Sequence, residues 1–393
     1  MKRGAPSVLV GKASLAQRAR AVKRLMAPGV QLPVYALVFV TNRCDAKCKH
    51  CFYWQELNQN PRAELSIDEY DALARSMGPM LQVTLTGGSP ELRRDLPEIT
   101  RRFVEHCRPA NITFCMNGYH TRRIVEHAEE VLRTCPDQHL TIGLSLDGIG
   151  DAHDEVRGMP GLFDRVVETF RALRELRAIH GPRFRLAAAI VVSGVNHAEA
   201  KETAAWARAH LPIDVLKPIL VRGDVVRNPT PDARALEIEC GQTYLDIVDG
   251  DDVPLRSGPG AKATAMAFAV SVKEMVQRGL ISEIQESGVA SFVCSGARET
   301  VVIHPDGRVA GCEMRPEILG RLRDVEMDLS RIWKGDLARE FRSRRDPDRC
   351  PGCTHHCFIS PPIFRSPTLW PRVARAAWNI GRGRGTSRRV SRS

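Results

Sequence analysis

Cys44, Cys48 and Cys51 stand at C-x3-C-x2-C spacing within one stretch, Cys44-Asp45-Ala46-Lys47-Cys48-Lys49-His50-Cys51. Three thiolates on one short loop hold three corners of a [4Fe–4S] cluster and leave the fourth iron without a protein ligand, open to a small molecule. That arrangement serves chemistry at one iron rather than the passage of electrons through a closed cluster. Structural zinc sites draw instead on paired C-x2-C units. No apolar signal segment opens the chain, which points to a reducing compartment where disulfides do not persist. Four other cysteines, Cys107, Cys115, Cys135 and Cys240, fall in helix- or strand-like segments and are expected to be small core residues.

The elements that must position this loop follow a regular alternation. An apolar run from Val34 to Val40 leads into it, and Ser66-Ile67-Asp68-Glu69 is a capping box opening a helix to about Met77. Strands are expected at Gln82–Thr86, Asn111–Met116, Leu140–Leu146, Phe184–Val192 and Val215–Val221. Helices are expected at Leu96–Cys107, Thr121–Thr134, Phe163–Ile179 and Ala198–His210. Six βα units predict a parallel sheet closed only in part, a (β/α)6 TIM-like barrel of α/β class. In such barrels the site lies at the C-terminal ends of the strands. The cysteine loop, Gly87-Gly88, Asn117 and the Ser145–Asp147 segment each follow a strand.

The motif resembles the cluster-binding loop of radical S-adenosylmethionine (radical SAM) enzymes, with His50 where an aromatic residue commonly precedes the last cysteine. The resemblance covers about Tyr35 to Cys357. It implies that Gly87-Gly88-Ser89-Pro90-Glu91 stands for the family's Gly-Gly-Glu-Pro, which holds the cosubstrate's amino group; Ser89 occupies the acid position and Glu91 lies two residues on. It implies roles for Ser145 and Arg157 at the cosubstrate's ribose and carboxylate, an arginine fork suiting a carboxylate. Asp147 serves either the loop or the ligand, and Asn117 either the ligand or an Asn-Gly turn. Cys294, Gly307, Cys312, Cys350, Cys353 and Cys357 look like the twitch or SPASM extension of the family. A closed cluster takes four thiolates; Cys294, Cys312, Cys350 and Cys353 are the expected set, with Cys357 as spare or competitor. A zinc site stays open beside it, with His355 and His356 adjacent. The cofactors implied are S-adenosylmethionine with its [4Fe–4S] cluster and a second, auxiliary [4Fe–4S] cluster. The chemistry implied is one-electron cleavage of S-adenosylmethionine to methionine and a 5′-deoxyadenosyl radical that takes a hydrogen atom from substrate.

Bulk properties bound the rest. The 393 residues suffice for one large core or two smaller ones. Residues 1–30 carry +7 and residues 365–393 carry +8, neither with an acid, while the segment between carries −4. The expected layout is a basic arm (1–30), the barrel (31–230), a connector (231–288), the auxiliary-cluster unit (289–360) and a basic tail (361–393), disordered or a surface helix. Leu15, Ala19, Val22, Leu25 and Met26 share one helical face, as do Trp370, Val373, Ala374, Ala377 and Trp378, so the ends are expected to be solvated tails or, alternatively, to make weak membrane-surface contact. The expected location is cytoplasmic. The expected reaction is oxidation, cross-linking or rearrangement in a biosynthetic pathway, on a small metabolite or, alternatively, a ribosomal peptide. A flavodoxin- or ferredoxin-like protein would supply electrons. The rival of another class is a non-catalytic, RNA-associated metal-binding module.

Overall fold

The structure is a computed structural model describing residues 15–27, 29–60, 63–222, 233–249, 261–343 and 353–382. Helix α1 (Leu15–Met26) precedes β1 (Tyr35–Thr41), α2 (Ile67–Met77), β2 (Gln82–Gly87), α3 (Leu96–Cys107), β3 (Asn111–Met116) and α4 (Thr121–Thr134). Then come β4 (Leu140–Ser145), α5 (Asp151–Arg157), α6 (Leu162–His180), β5 (Phe184–Val192), α7 (His197–His210) and β6 (Val215–Leu220). The second half holds α8 (Ala233–Asp249), α9 (Ala261–Ser287), β7 (Thr300–Ile303), β8 (Arg308–Ala310), β9 (Ile318–Arg321), α10 (Leu329–Trp333), α11 (Asp336–Ser343), α12 (His356–Arg365) and α13 (Trp370–Gly381).

One nine-stranded sheet runs β6-β5-β4-β3-β2-β1-β7-β8-β9. Strands β1 to β6 pair in parallel, so the chain forms the partial (β/α)6 barrel that the alternation predicts. The cysteine-rich unit is not a separate layer. Its strand β7 pairs in parallel with β1, Leu37 opposite Val302, and β8 and β9 continue the sheet antiparallel. The hairpin expected at His304–Gly307 joins β7 to β8, and Gly307 takes the φ of 85° that the turn requires.

The sheet is buried on both faces, as parallel sheets are. Ala36, Val38 and Val40 of β1 face the helices in the main core, while Leu37 and Phe39 face the lumen with Tyr53, Val302, Ala310 and Phe358. A side-chain network links the N-terminal ends of β2, β3 and β4 on the lumen side. Gln82 Nε2 donates to Thr113 Oγ1 (3.0 Å), Asn111 Nδ2 to Gln82 Oε1 (3.1 Å) and Thr141 Oγ1 to Asn111 Oδ1 (3.2 Å).

Two expectations need correction, at Cys115 and along α1. Cys107, Cys135 and Cys240 are buried, but Cys115 is exposed although β2 and β4 flank its strand. It faces an open lumen, opposite Gly143, whose missing side chain widens the space. In α1, Ala21 and Leu25 face inward while Val22 and Met26 stay exposed, and Arg24 Nη1 caps the end of α2 at Met77 O (2.9 Å). The tail folds as α13, which buries Ala376 and Ile380 but leaves Trp370 and Trp378 outside. Residues 1–14 and 383–393 of the basic ends lie outside the described residues.

Candidate functional site

The cysteine loop leaves the C-terminal end of β1 and is pinned from three sides. Asn58 brackets Cys44, accepting from its N–H (3.0 Å) and donating to its C=O (2.9 Å). The turn after β2 packs on it, Gly88 N donating to Thr41 O (2.9 Å) and Ser89 N to Arg43 O (2.8 Å). A Cβ at Gly87 would lie 2.2 Å from Thr41 O and one at Gly88 2.2 Å from Arg43 O, so the glycine pair lets two backbones touch. On the third side the end of α5 accepts Lys47 N at Arg157 O (3.0 Å) and Lys49 N at Val156 O (2.8 Å).

The loop thiols are the candidate ligands, and their surroundings pull in two directions. Cys44 Sγ accepts the Ala46 N–H, and the Arg157 guanidinium stands beside Cys44 and Cys48. Burial outweighs these pulls: the Cys44 thiol is raised and the Cys48 thiol is pushed up to about 11. A metal would displace those protons. A tetrahedral zinc holds its thiolates about 4 Å apart, at Zn–S about 2.3 Å. Among the described residues, the only trio of Asp, Glu, His or Cys with ligand atoms all within 4.8 Å of one another is Asp71, Glu105 and His106. That trio is already engaged with Arg75 and Arg102.

Around Cys44 lies a polar cluster that spacing does not reveal. Asp45 Oδ1 accepts from Asn117 Nδ2 (2.7 Å) and Ser89 Oγ (3.2 Å), and Asp45 Oδ2 faces His120 Nε2 at 2.7 Å. Asn117 Nδ2 also donates to Ser89 Oγ (2.7 Å), which lies 3.5 Å from Cys44 Sγ. Asn117 Oδ1 takes the Tyr119 N–H in the Asn-Gly turn, so this residue serves turn and site together. Glu91 is sealed beneath. Desolvation and the nearby Asp45 charge push its carboxyl up to about 7, and the amides of Glu91 and Gly118 approach it without completing a hydrogen bond.

Asp147 is a buried anchor. Its Oδ1 accepts the Val191 N–H (2.7 Å); its Oδ2 pairs with Arg157 Nη1 (3.2 Å) and lies 3.6 Å from His50 Nε2. Burial works to raise this carboxyl, and the facing His50 and Arg157 overcome it, holding it low. Asp147 thus ties β5, α5 and the cysteine loop. Ser145 is half-buried at the end of β4, its Oγ 3.5 Å from Met116 O. Asp45, His120 and Asn58 escape motif reading because they act through partners distant in sequence.

In the second group, backbone amides two residues on donate to three thiols: Gly296 N to Cys294 (3.3 Å), Met314 N to Cys312 (3.3 Å) and His355 N to Cys353 (3.4 Å). Such bonds support thiolate ligands. Cys350 lies outside the described residues. Burial pushes Cys312 up to about 12 and Cys357 to about 11. The adjacent imidazoles are engaged elsewhere: His355 takes the Cys357 N–H on Nδ1 (3.2 Å) and meets Glu313 Oε1 through Nε2 (2.5 Å), and His356 Nε2 contacts Tyr244 Oη (3.3 Å). Burial favours a neutral Glu313, but His355 and Arg222 hold its carboxyl at about 2. Beside Cys357 stand Lys217, Arg222 and Cys115, and Lys273 stands near both Lys217 and Cys357. Cys51 from the first group and Cys312, Cys353 and Cys357 from the second all pack on the same lumen cluster, Leu37, Phe39, Tyr53, Val302, Ala310 and Phe358.

Comparison with known proteins agrees with this geometry. The radical SAM superfamily profile matches residues 38–207, and an iron–sulfur cluster-binding (SPASM) domain profile matches residues 294–357. The AdoMet-dependent heme synthase of Methanosarcina barkeri is 26% identical over 323 residues, 80% of this chain and 85% of that protein. Fe-coproporphyrin III synthase of the same organism is 33% identical over 37% of this chain and 35% of its own length. The subtilosin biosynthesis protein AlbA of Bacillus subtilis is 27% identical over 40% of this chain and 34% of its own. The chain therefore spans only about a third of the length of the last two relatives. Streptococcus suis SuiB bound to its precursor peptide SuiA superposes with a TM-score of 0.56 at 17% identity, covering 93% of this chain and 84% of SuiB. The structure of anSMEcpe with bound AdoMet gives 0.53 at 15%, covering 90% and 94%. These two likenesses show the fold. The two profiles make this chain a member of the radical SAM superfamily, an enzyme with S-adenosylmethionine and [4Fe–4S] cofactors and a C-terminal SPASM-type iron–sulfur extension.

Proposed function

We propose that the chain carries out radical chemistry on a substrate bound in the barrel lumen, between a cluster on Cys44, Cys48 and Cys51 and an auxiliary cluster on Cys294, Cys312, Cys350 and Cys353. The observation that carries this reading is the shared wall: thiols of both groups border one lumen cluster. When bound, the first cluster and S-adenosylmethionine supply reductive cleavage to a 5′-deoxyadenosyl radical and hydrogen-atom abstraction. The protein's part is placement. Arg157, fixed by Asp147, offers a guanidinium beside the loop; Gly87, Gly88, Ser89, Asn117 and Ser145 shape the rim; the Gln82, Asn111 and Thr113 network braces the opposite end of the strands.

Lysines 217 and 273 and Arg222 face the lumen with Glu313 as counter-charge, which favours a substrate bearing acidic groups. A small metabolite is the preferred class; a ribosomal peptide is the second reading, favoured by the matches to AlbA and SuiB. The test is 5′-deoxyadenosine release by anaerobically reconstituted protein with dithionite, with candidate substrates added. Stimulation by an acidic metabolite, weakened at least ten-fold in Lys217→Met/Lys273→Met with basal release intact, supports the reading. Absence of any release from a protein with full iron overturns it.

The electron donor on this reading is flavodoxin- or ferredoxin-like and the location cytoplasmic. No helix among the described residues is long and apolar enough to cross a membrane. The exposed Trp370 and Trp378, with Arg382 stacked 4.1 Å over the Trp378 ring, support weak contact with an anionic membrane surface. Co-sedimentation with vesicles that ignores their anionic lipid content would remove that part.

A further inference from the structure

S-adenosylmethionine ends in a zwitterion, an α-ammonium and an α-carboxylate on one carbon. Orienting that end takes an anionic acceptor and a cationic donor close together, with charge-assisted bonds to each. Three carboxylates, Asp147, Glu91 and Asp45, stand by Cys44 or Arg157; Glu155 pairs with Lys49 on the outer side of the loop. Asp147 is fully buried and committed to Arg157 and the Val191 amide. Glu91 is fully buried, both oxygens sealed under the turn. Asp45 alone of the three stays open, its side chain 27% exposed, and it directly follows Cys44.

Asp45 is also held as an acceptor should be. Asn117 and Ser89 donate to Oδ1 and His120 meets Oδ2. A carboxylate has about four acceptor positions, so one remains on the oxygen nearer solvent. Ser89 has no exposed surface and reaches a ligand only through Asp45. On the side of Cys44 and Cys48 stands Arg157, nine-tenths buried, its Nε without a hydrogen-bond partner.

We propose that Asp45, rather than Ser89 or Glu91 of the Gly-Gly-Ser-Pro-Glu turn, accepts a hydrogen bond from the α-amino group of S-adenosylmethionine, and that Ser89 and Asn117 are positioning residues that fix its carboxylate. The proposal rests on the reading that S-adenosylmethionine binds at the Cys44, Cys48, Cys51 loop. It moves the anionic acceptor from the turn after β2 into the cysteine loop itself. Serine in the turn then keeps its place by bracing the new acid.

The test compares two ligands on the reconstituted holoenzyme: S-adenosylhomocysteine, and its deaminated analogue 5′-S-(3-carboxypropyl)-5′-thioadenosine, which keeps the carboxylate and lacks the amine. Anaerobic calorimetry gives both dissociation constants, and iron and sulfide assays verify the cluster. The expected result is that Asp45→Asn weakens S-adenosylhomocysteine about 10- to 100-fold while the deaminated analogue changes less than about two-fold, the loss of one charge-assisted bond. Ser89→Ala should lower the same ratio by a smaller factor. An unchanged ratio in Asp45→Asn overturns the proposal, and a ratio that falls only in Glu91→Gln places the acceptor there instead. If Asp45→Asn fails to hold iron, Asn117→Ala reads the same ratio, and no change in it is equally decisive against the proposal. Wild type that binds neither ligand defeats the underlying reading, a result distinct from loss of amine selectivity.

Discussion

The two cysteine groups, the candidate centres, are assembled in opposite ways. The first draws its thiols from eight consecutive residues and takes its rigidity from outside: Asn58, the Gly87-Gly88 turn and the end of α5. The second draws on segments before β7, after β8 and before α12, with Cys294, Cys312 and Cys353 each supported by a local amide, and the shared sheet carries all three segments. A contiguous loop needs external clamps to acquire one shape. Dispersed ligands need a common scaffold, and the β1–β7 pairing supplies it. The electrostatics differ too. Arg157 and its buried counter-ion Asp147 face the first centre, whereas Lys217, Arg222 and Glu313 gather beside Cys357 at the second.

The largest effect should separate the centres outright. Triple Cys44/Cys48/Cys51→Ala should lower iron from about eight to about four per chain and abolish 5′-deoxyadenosine release. Cys312→Ser/Cys353→Ser should also remove about four irons yet retain release without substrate turnover. Iron retained in full by either variant would mean the two groups do not act as separate centres.

Next is the buried pair at the first centre. Arg157→Met leaves Asp147 sealed without its cation, which should destabilise the fold by about 3–5 kcal/mol. Arg157→Lys should recover part of that loss. Denaturant midpoints check this, and a neutral Arg157→Met would show that water or His50 suffices as partner.

Glu91 gives a pH test of comparable size. Its folded carboxyl, at about 7, lies above its ordinary value of 4.5, so the native state keeps a proton that the unfolded chain has released. The associated stability is fully present below the unfolded value and is lost as pH rises through 7, by about 3 kcal/mol in all. Glu91→Gln should flatten the stability profile between pH 5 and pH 8. A wild-type profile already flat there would show the carboxyl to be solvated.

The smallest effect belongs to the clamp at Asn58, which is exposed and sits at φ 60°. Asn58→Gly keeps that backbone freedom but deletes both bonds to Cys44, an expected loss of about 1–2 kcal/mol. It should also speed loss of iron from the first centre, measured with a chelator, and leave the second unaffected.

Much of the fold was legible in the chain. The β3 and β5 strands and the α3 and α4 helices match their expected limits, because alternating and 3.6-residue apolar patterns record which faces are buried. Helix α2 starts at the Ser66 capping box as its side chains dictate. Helix α5 was not expected: it is about two turns long, and its value is the clamp it places on Lys47 and Lys49. Cys115 read as core because a strand residue looks the same whether its lumen is filled or open.

The sequence by itself determined the two thiol patterns, the alternating elements and hence the family. Ligand spacing and burial periodicity are local, and local rules carry them. Only the tertiary structure decided that the auxiliary strands extend the barrel sheet, that Gly87 and Gly88 serve a backbone contact, and that Asp45 gathers Ser89, Asn117 and His120 at 2.7–3.2 Å. Those partners lie 44 to 75 positions apart, and no local pattern encodes which strand ends will meet.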